Sequence, residues 1–338
     1  MSLQKPKYKI AIDAMGGDFA PLNEIEGAIQ AFKHCPKNVN LEILLVGKED
    51  VIKSHLNTLG NPEFSYSIVH ADEVVTMKDE PTAVLKNKKN SSLYMGVELV
   101  KQGKADAFVS AGNTGAVLST STILLGRIQG VSRPTIGSYF PGVNKSVLVL
   151  DVGANVECKP RFIYDFAVMG SIYIEKILGI SNPKVGLLSI GEEDSKGNEL
   201  VLQAHKLLKE SNLNFVGNIE GRDVLTGDCD VIVCDGFTGN IILKFAESVM
   251  TLMKSKFKGF ADKSLKNKLM MGMFMPVLKK VFTDLDYQNY GGVPLLGTNG
   301  VIIIGHGKSS PLAIRNMILK AVEQIEKEVN KEIEKALK

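Results

Sequence analysis

Short runs of Val, Ile and Leu alternate with amphipathic stretches from one end of the chain to the other. The apolar runs are Tyr8–Ile12, Leu41–Val46, Ala107–Ser110, Ser146–Leu150, Val185–Ile190, Asn214–Val216, Val231–Cys234 and Val301–Ile304. They lack polar alternation, as do strands buried on both faces, so they predict a mainly parallel sheet under helices. Helical spacing marks Leu22–Phe32, Ser91–Gln102, Thr114–Leu125, Phe162–Leu178, Glu199–Glu210, Thr238–Lys256, Leu265–Phe282 and Leu312–Leu337. The last begins beside Pro311 and carries Glu/Lys pairs one helical turn apart. The alternation predicts a three-layer α/β/α fold with a largely parallel, twisted sheet, in a single domain over residues 1–338. The turn-rich stretch Gly126–Pro134 is the candidate internal boundary.

The loops at the strand ends carry the chemistry. Glycine-rich loops begin at Asp13, Ser110, Asp151, Gly191, Asp235 and Gly305. In a parallel sheet such loops share the carboxyl edge, where ligands bind. Glycine lets backbone approach a ligand, and a helix starting after the loop aims N–H groups and a positive dipole end at an anion. Thr114, Thr238 and Ser309 add hydroxyl donors and Lys308 adds charge. The loops together therefore point to a small-anion site. Asp13, Asp18, Asp151 and Asp235 read as carboxylates that hold loop shape by accepting backbone N–H groups. His306 reads equally as a structural residue or a catalytic one. Cys234 reads as a buried strand residue rather than a nucleophile.

Composition narrows the classes. A net charge of +3 argues against a general nucleic-acid coat. Four cysteines without a C-x-x-C pair read as reduced thiols of a cytoplasmic protein. Five histidines without H-E-x-x-H spacing predict no zinc site. Lys5, Lys7 and Lys9 before a short apolar run do not read as a signal peptide. The longest uncharged run, Ala107–Gly126, is broken by seven Ser, Thr and Asn residues and does not read as a membrane span. No G-x-G-x-x-G follows a strand, Ile302 stands where a P-loop ending in Gly307-Lys308-Ser309 needs glycine, and no G-x-S-x-G occurs.

The stretches IAIDAMGGDFAP, SAGNTGA, LDVGAN, GLLSIGEEDSKGN, GNIEGRD, CDGFTGN and GTNGVIIIGHGKS run in this order from Ile10 to Ser309. The chain so marked resembles the bacterial phosphate acyltransferases of phospholipid synthesis, the fatty acid/phospholipid synthesis protein family. The resemblance implies transfer of a long-chain acyl group from acyl carrier protein to inorganic phosphate, with no cofactor. It implies a fold similar to the isocitrate/isopropylmalate dehydrogenases and phosphate acetyltransferases. It also implies a cytoplasmic homodimer that associates peripherally with the membrane.

That reaction asks little of side chains. Phosphate is already a charged nucleophile, and the leaving thiol has a pKa of about 8.5. Fixed geometry supplies roughly 7–11 kcal/mol, and one oxyanion donor about 3–4 kcal/mol. The expected arrangement puts phosphate on Gly16, Gly17, Asn113, Thr114 and Lys308, with Asp13, Asp18, Ser110 and Ser309 shaping the site. His306 would polarise the thioester or protonate the thiolate. Asn155, Asn198, Asp235, Thr238 and Asn240 would line the same cleft. An acyl-coenzyme A enzyme of phosphate acetyltransferase type and a non-catalytic phosphate or nucleotide sensor are the competing readings. A decarboxylating dehydrogenase would need an acidic metal cluster that the sequence does not show.

Glu247–Phe282 carries eight lysines against two acids and holds six of the twelve methionines. Lys266, Lys268, Met271 and Phe274 read as contacts for a membrane surface or an acidic carrier, Pro276 as a kink or break. A helix pair buried in a dimer interface, with solvated lysines, explains the same residues.

Overall fold

The computed structural model describes residues 5–282 and 291–338. Within them one sheet of 11 strands is formed by β1 (Lys7–Asp13), β2 (Asn40–Gly47), β3 (Tyr66–His70), β4 (Ala107–Ser110), β5 (Thr135–Phe140), β6 (Val147–Leu150), β7 (Lys184–Leu188), β8 (Asn214–Ile219), β9 (Val231–Val233), β10 (Val293–Leu296) and β11 (Val301–Ile304). The helices are α1 (Leu22–His34), α2 (Glu49–Thr58), α3 (Pro81–Asn87), α4 (Ser92–Lys101), α5 (Thr114–Leu125), α6 (Pro160–Leu178), α7 (Glu199–Lys209), α8 (Asp223–Thr226), α9 (Gly236–Ala261), α10 (Leu265–Phe282), α11 (Pro311–Glu326) and α12 (Val329–Leu337). Each apolar run of the sequence overlaps a strand, although Ser146, Ser189, Ile190 and Cys234 fall just outside their strands.

The strand order is β3-β2-β1-β4-β11-β10-β5-β6-β9-β7-β8. Pairing is parallel from β3 to β11 and from β6 to β8, but antiparallel at β11/β10, β10/β5 and β5/β6. Three reversals leave β6, β9, β7 and β8 running opposite to β1, β2, β3, β4 and β11. The glycine loops therefore form two groups instead of sharing one carboxyl edge. One follows β1, β4 and β11; the other follows β6, β7 and β9.

Both faces of each half are covered. Ile10, Ile12, Ile43 and Leu45 pack on one face with Ile25 of α1 and Ile314 and Ile318 of α11. Ala11, Leu44, Val46 and Phe108 pack on the other with Leu93 of α4 and Val117 of α5. In the second half Leu148, Leu150, Val231 and Val233 meet Phe166 and Tyr173 of α6. Opposite them, Val149 and Ile232 share a cluster with Ile242 and Leu243 of α9.

The single C-terminal helix expected from Leu312 to Leu337 is two helices. Glu328 takes a left-handed conformation (φ 50) between α11 and α12. The break lets Val329, Ile333 and Leu337 join the α6 core, and Lys327 Nζ donates to the Ile177 carbonyl at 3.0 Å. Packing outweighs the helical propensity of this Glu/Lys-rich stretch.

Helices α9 and α10 pack against each other. Pro276 stands inside α10, which continues past it. Leu265 (76% exposed), Met273 (74%) and Phe274 (56%) present apolar surface, while Met271 is half-buried. Among the described residues, no helix is long and apolar enough to cross a membrane.

Candidate active site

The loops after β1, β4 and β11 form one connected unit. Asp13 ends β1 and is almost fully buried. Its Oδ1 accepts from the Ser92 hydroxyl at 2.6 Å and the Met15 N–H at 3.3 Å, and its Oδ2 accepts from the Ser110 hydroxyl at 2.8 Å. Burial raises its pKa, and these bonds pull the other way. Ser110 Oγ also accepts from Gly112 N–H at 3.0 Å. Asp13 and Ser110 thus clamp the first loop to α4 and β4.

Gly16 lies so close under this clamp that a Cβ there would stand 2.3 Å from Asp13 Oδ2. Asp18 N–H donates to the Gly307 carbonyl at 2.7 Å and joins the first loop to the last. Asn113 is the N-cap of α5. Its Oδ1 accepts from Ala116 N–H at 3.1 Å, and its Nδ2 donates to the Thr76 and Asp79 carbonyls at 3.2 and 3.1 Å. Its side chain is thereby committed to holding the loop. Ala116 N–H is taken by that cap, whereas the Thr114 and Gly115 amides at the start of α5 have no intrahelical acceptor and can face an anion. Thr114, His306 and Lys308 are exposed, and Ser309 is buried. Ser310 caps α11 by accepting from Ala313 N–H at 3.4 Å. Lys308 N–H donates to His306 Nδ1 at 3.2 Å. A neutral imidazole so held carries its proton on Nε2 and donates from there.

The second group is built around Asp151, which is fully buried. Its Oδ1 accepts from the N–H groups of Ile136, Gly153 and Ala154 at 3.1–3.3 Å. Its Oδ2 accepts from Asn155 N–H at 2.6 Å and Asn155 Nδ2 at 2.9 Å. Asn155 Nδ2 also reaches the Pro134 carbonyl at 2.8 Å, so this amide is structural as it stands. Asp235 caps α9, accepting from Thr238 N–H at 2.8 Å and Thr238 Oγ1 at 2.7 Å. Asn198 caps α7, accepting from Val201 N–H at 3.0 Å. Asn198, Asp235 and Thr238 line a cleft of about 470 Å³ with Glu157, Cys158 and Phe237. Gly153 abuts Asn240 beside it. Burial pushes the Cys158 thiol up to about 11 and holds the Cys234 thiol well above the usual cysteine value. Neither is poised as a thiolate, and Cys234 is the buried strand-end residue expected.

Sequence reasoning missed Glu24. It reads as an ordinary first-turn acid of α1, yet it is 1% exposed and lies under Gly17. A Cβ on Gly17 would stand 2.2 Å from Glu24 Oε1. Burial, then the nearby Asp13 charge, raise its pKa to about 8 against the partial relief of its own backbone N–H. From 4.5 to about 8 the unfolded chain ionises this group while the folded chain keeps it neutral. Its contribution is therefore complete below 4.5 and lost as pH rises through about 8, a change on the order of 5 kcal/mol. Glu24→Gln is expected to abolish that loss. Urea unfolding of both proteins across this window should show the stability difference in favour of Gln growing with pH, and a constant difference would refute the assignment.

Residues 8–332 match the family described as fatty acid synthesis protein. The phosphate acyltransferase of Halothermothrix orenii is 46% identical over 323 residues, covering 95% of this chain and 96% of its own. That of Clostridium acetobutylicum is 44% identical over 328 residues, covering 97% and 98%. The fold is similar to a phosphotransacetylase from Streptococcus pyogenes, with a TM-score of 0.62 at 18% identity over 95% of this chain and 94% of that one. It is also similar to a branched-chain phosphotransacylase from Enterococcus faecalis, with a TM-score of 0.54 at 14% identity over 94% and 99%. The near-complete coverage places this chain in the fatty acid synthesis protein family, alongside phosphate acyltransferases.

Proposed function

We propose that this enzyme transfers a long-chain acyl group from acyl carrier protein to inorganic phosphate, making acyl phosphate for phospholipid synthesis. The observation that carries this reading is the unit formed by the loops after β1, β4 and β11, where glycine backbone, the α5 N-terminus, His306 and Lys308 come together. Family membership and relatives named phosphate acyltransferase support it.

Phosphate rests on Gly16, Gly17, Thr114 and Lys308, within a frame braced by Asn113, Asp13, Ser110 and Ser309. A phosphate oxygen attacks the thioester carbonyl carbon. The new C–O bond forms, the C–S bond breaks, and the thiolate leaves and takes up a proton. His306 Nε2–H stabilises the oxyanion or supplies that proton. No electrons are transferred, so no redox cofactor is needed. Direct attack fits the raised thiol pKa values of Cys158 and Cys234, which disfavour an acyl-enzyme on either. Asn155, Asn198, Asp235, Thr238 and Asn240 belong to the thioester side, with Asp235 capping its helix. In this reading the chain is one catalytic unit, similar in architecture to the isocitrate/isopropylmalate dehydrogenases, and works as a homodimer in the cytoplasm.

The carrier arm is tested by offering matched acyl groups on carrier protein and on coenzyme A. Preferential turnover of the carrier thioester is expected. Equal or better use of coenzyme A would favour an enzyme of phosphotransacetylase type, and phosphate binding without thioester consumption would indicate a sensor.

The hairpin of α9 and α10 is the proposed peripheral membrane contact. Lys266 and Lys268 are exposed beside apolar Leu265, Met273 and Phe274. Met271 is half-buried in the same helix. Burying one such apolar side chain is worth about 1.5–3 kcal/mol, so Phe274→Asp is expected to weaken binding to anionic vesicles at least about tenfold. Co-sedimentation at low and high salt checks this, and undiminished binding would remove the hairpin from that role.

A further inference from the structure

Glu24 presents a carboxyl behind a loop meant to hold an anion. Its Oε1 occupies the space that a side chain on Gly17 would need. Its Oε2 is enclosed and has no hydrogen-bond partner among the described residues. The charged group that bears on it is Asp13 at the end of β1, itself an acid. Asp18, His306 and Lys308 belong to the two loops adjoining Gly17. From α11, Ile314 and the Pro311 carbonyl meet α1 at Gly27, and neither carries a charge. Two carboxyls therefore lie under one glycine loop, and a negative charge on the second is offset only in part, by its own backbone N–H, with no cation among the causes that set its proton affinity.

We propose that Glu24 is a positioning residue that couples phosphate affinity to its own proton: the neutral carboxyl backs the Gly17 loop, and the carboxylate opposes the anion on it. This rests on the placement of phosphate at Gly16, Gly17 and Lys308. An anion on the loop adds negative charge beside Glu24 and so favours its protonated form. By reciprocity, loss of the proton weakens anion binding. Burial and the Asp13 charge keep the proton in place through neutral pH.

The test compares the KM for phosphate of the wild type and Glu24→Gln over a range of about pH 6 to 9.5. The titration of phosphate itself is common to both enzymes and cancels in the ratio of their KM values. That ratio, wild type over variant, is expected to be flat at low pH and to rise on the order of tenfold through about 8, while the kcat ratio stays level. Glu24→Leu, which also has no proton to lose, should follow the Gln variant. A KM ratio independent of pH overturns the proposal. Gly16→Ala and Lys308→Ala separate the two claims. If both leave the KM for phosphate unchanged, the phosphate placement itself fails; if both raise it while the Glu24 ratio stays flat, the inference about Glu24 alone fails.

Discussion

Replacing Gly16 with alanine lowers kcat/KM for phosphate by at least about a hundredfold. The added Cβ would lie 2.3 Å from Asp13 Oδ2, 2.7 Å from Asp13 Cγ and 3.1 Å from Gly112 N. Asp13 cannot retreat cheaply, because Ser92, Ser110 and Met15 hold its carboxylate. The loop after β1 must therefore move away from the loop after β4. Misplacement by about 1 Å can cost about 10² in rate, and here it moves the backbone proposed to contact phosphate. Steady-state kinetics at varied phosphate checks this, with the thermal midpoint measured alongside. A kcat/KM near that of the wild type would show that the first loop does not hold the nucleophile.

The second large effect falls on His306. Removing its imidazole is expected to lower kcat by about 10²–10³, the usual cost of one oxyanion donor. The hydrogen bond from Lys308 N–H to Nδ1 directs the donor proton to Nε2, so the ring is prepared to donate rather than accept. His306→Gln keeps a donor of similar reach and should retain more activity than His306→Ala. Full turnover by the Ala variant would leave backbone donors alone to stabilise the transition state.

The parallel halves were readable because doubly buried strands write continuous Val/Ile runs, as in Val301–Ile304 and Leu41–Val46. The centre was not. β10 sits between β11 and β5 although it contains Pro294, which lacks a ladder donor and argues against a central strand. β5 carries Gly137 and Ser138 and shows no apolar run. These two strands reverse the direction of the sheet, which is why one expected row of loops became two groups. Within the site, the loop-shaping role of Asp13, Asp151 and Asp235 was legible, since each accepts backbone N–H groups; that Asn113 and Asn198 serve as helix caps was not read from the sequence. Glu24 was not legible, because its burial depends on the close approach of Gly17, a tertiary contact with no sequence period.

Incubating the purified protein with palmitoyl-carrier protein and labelled inorganic phosphate tests the central claim most directly. Label should enter palmitoyl phosphate in step with release of free carrier thiol, with no palmitoyl group left on the protein. Thioester consumption without labelled acyl phosphate, or a stable palmitoyl-enzyme, would contradict direct transfer to phosphate.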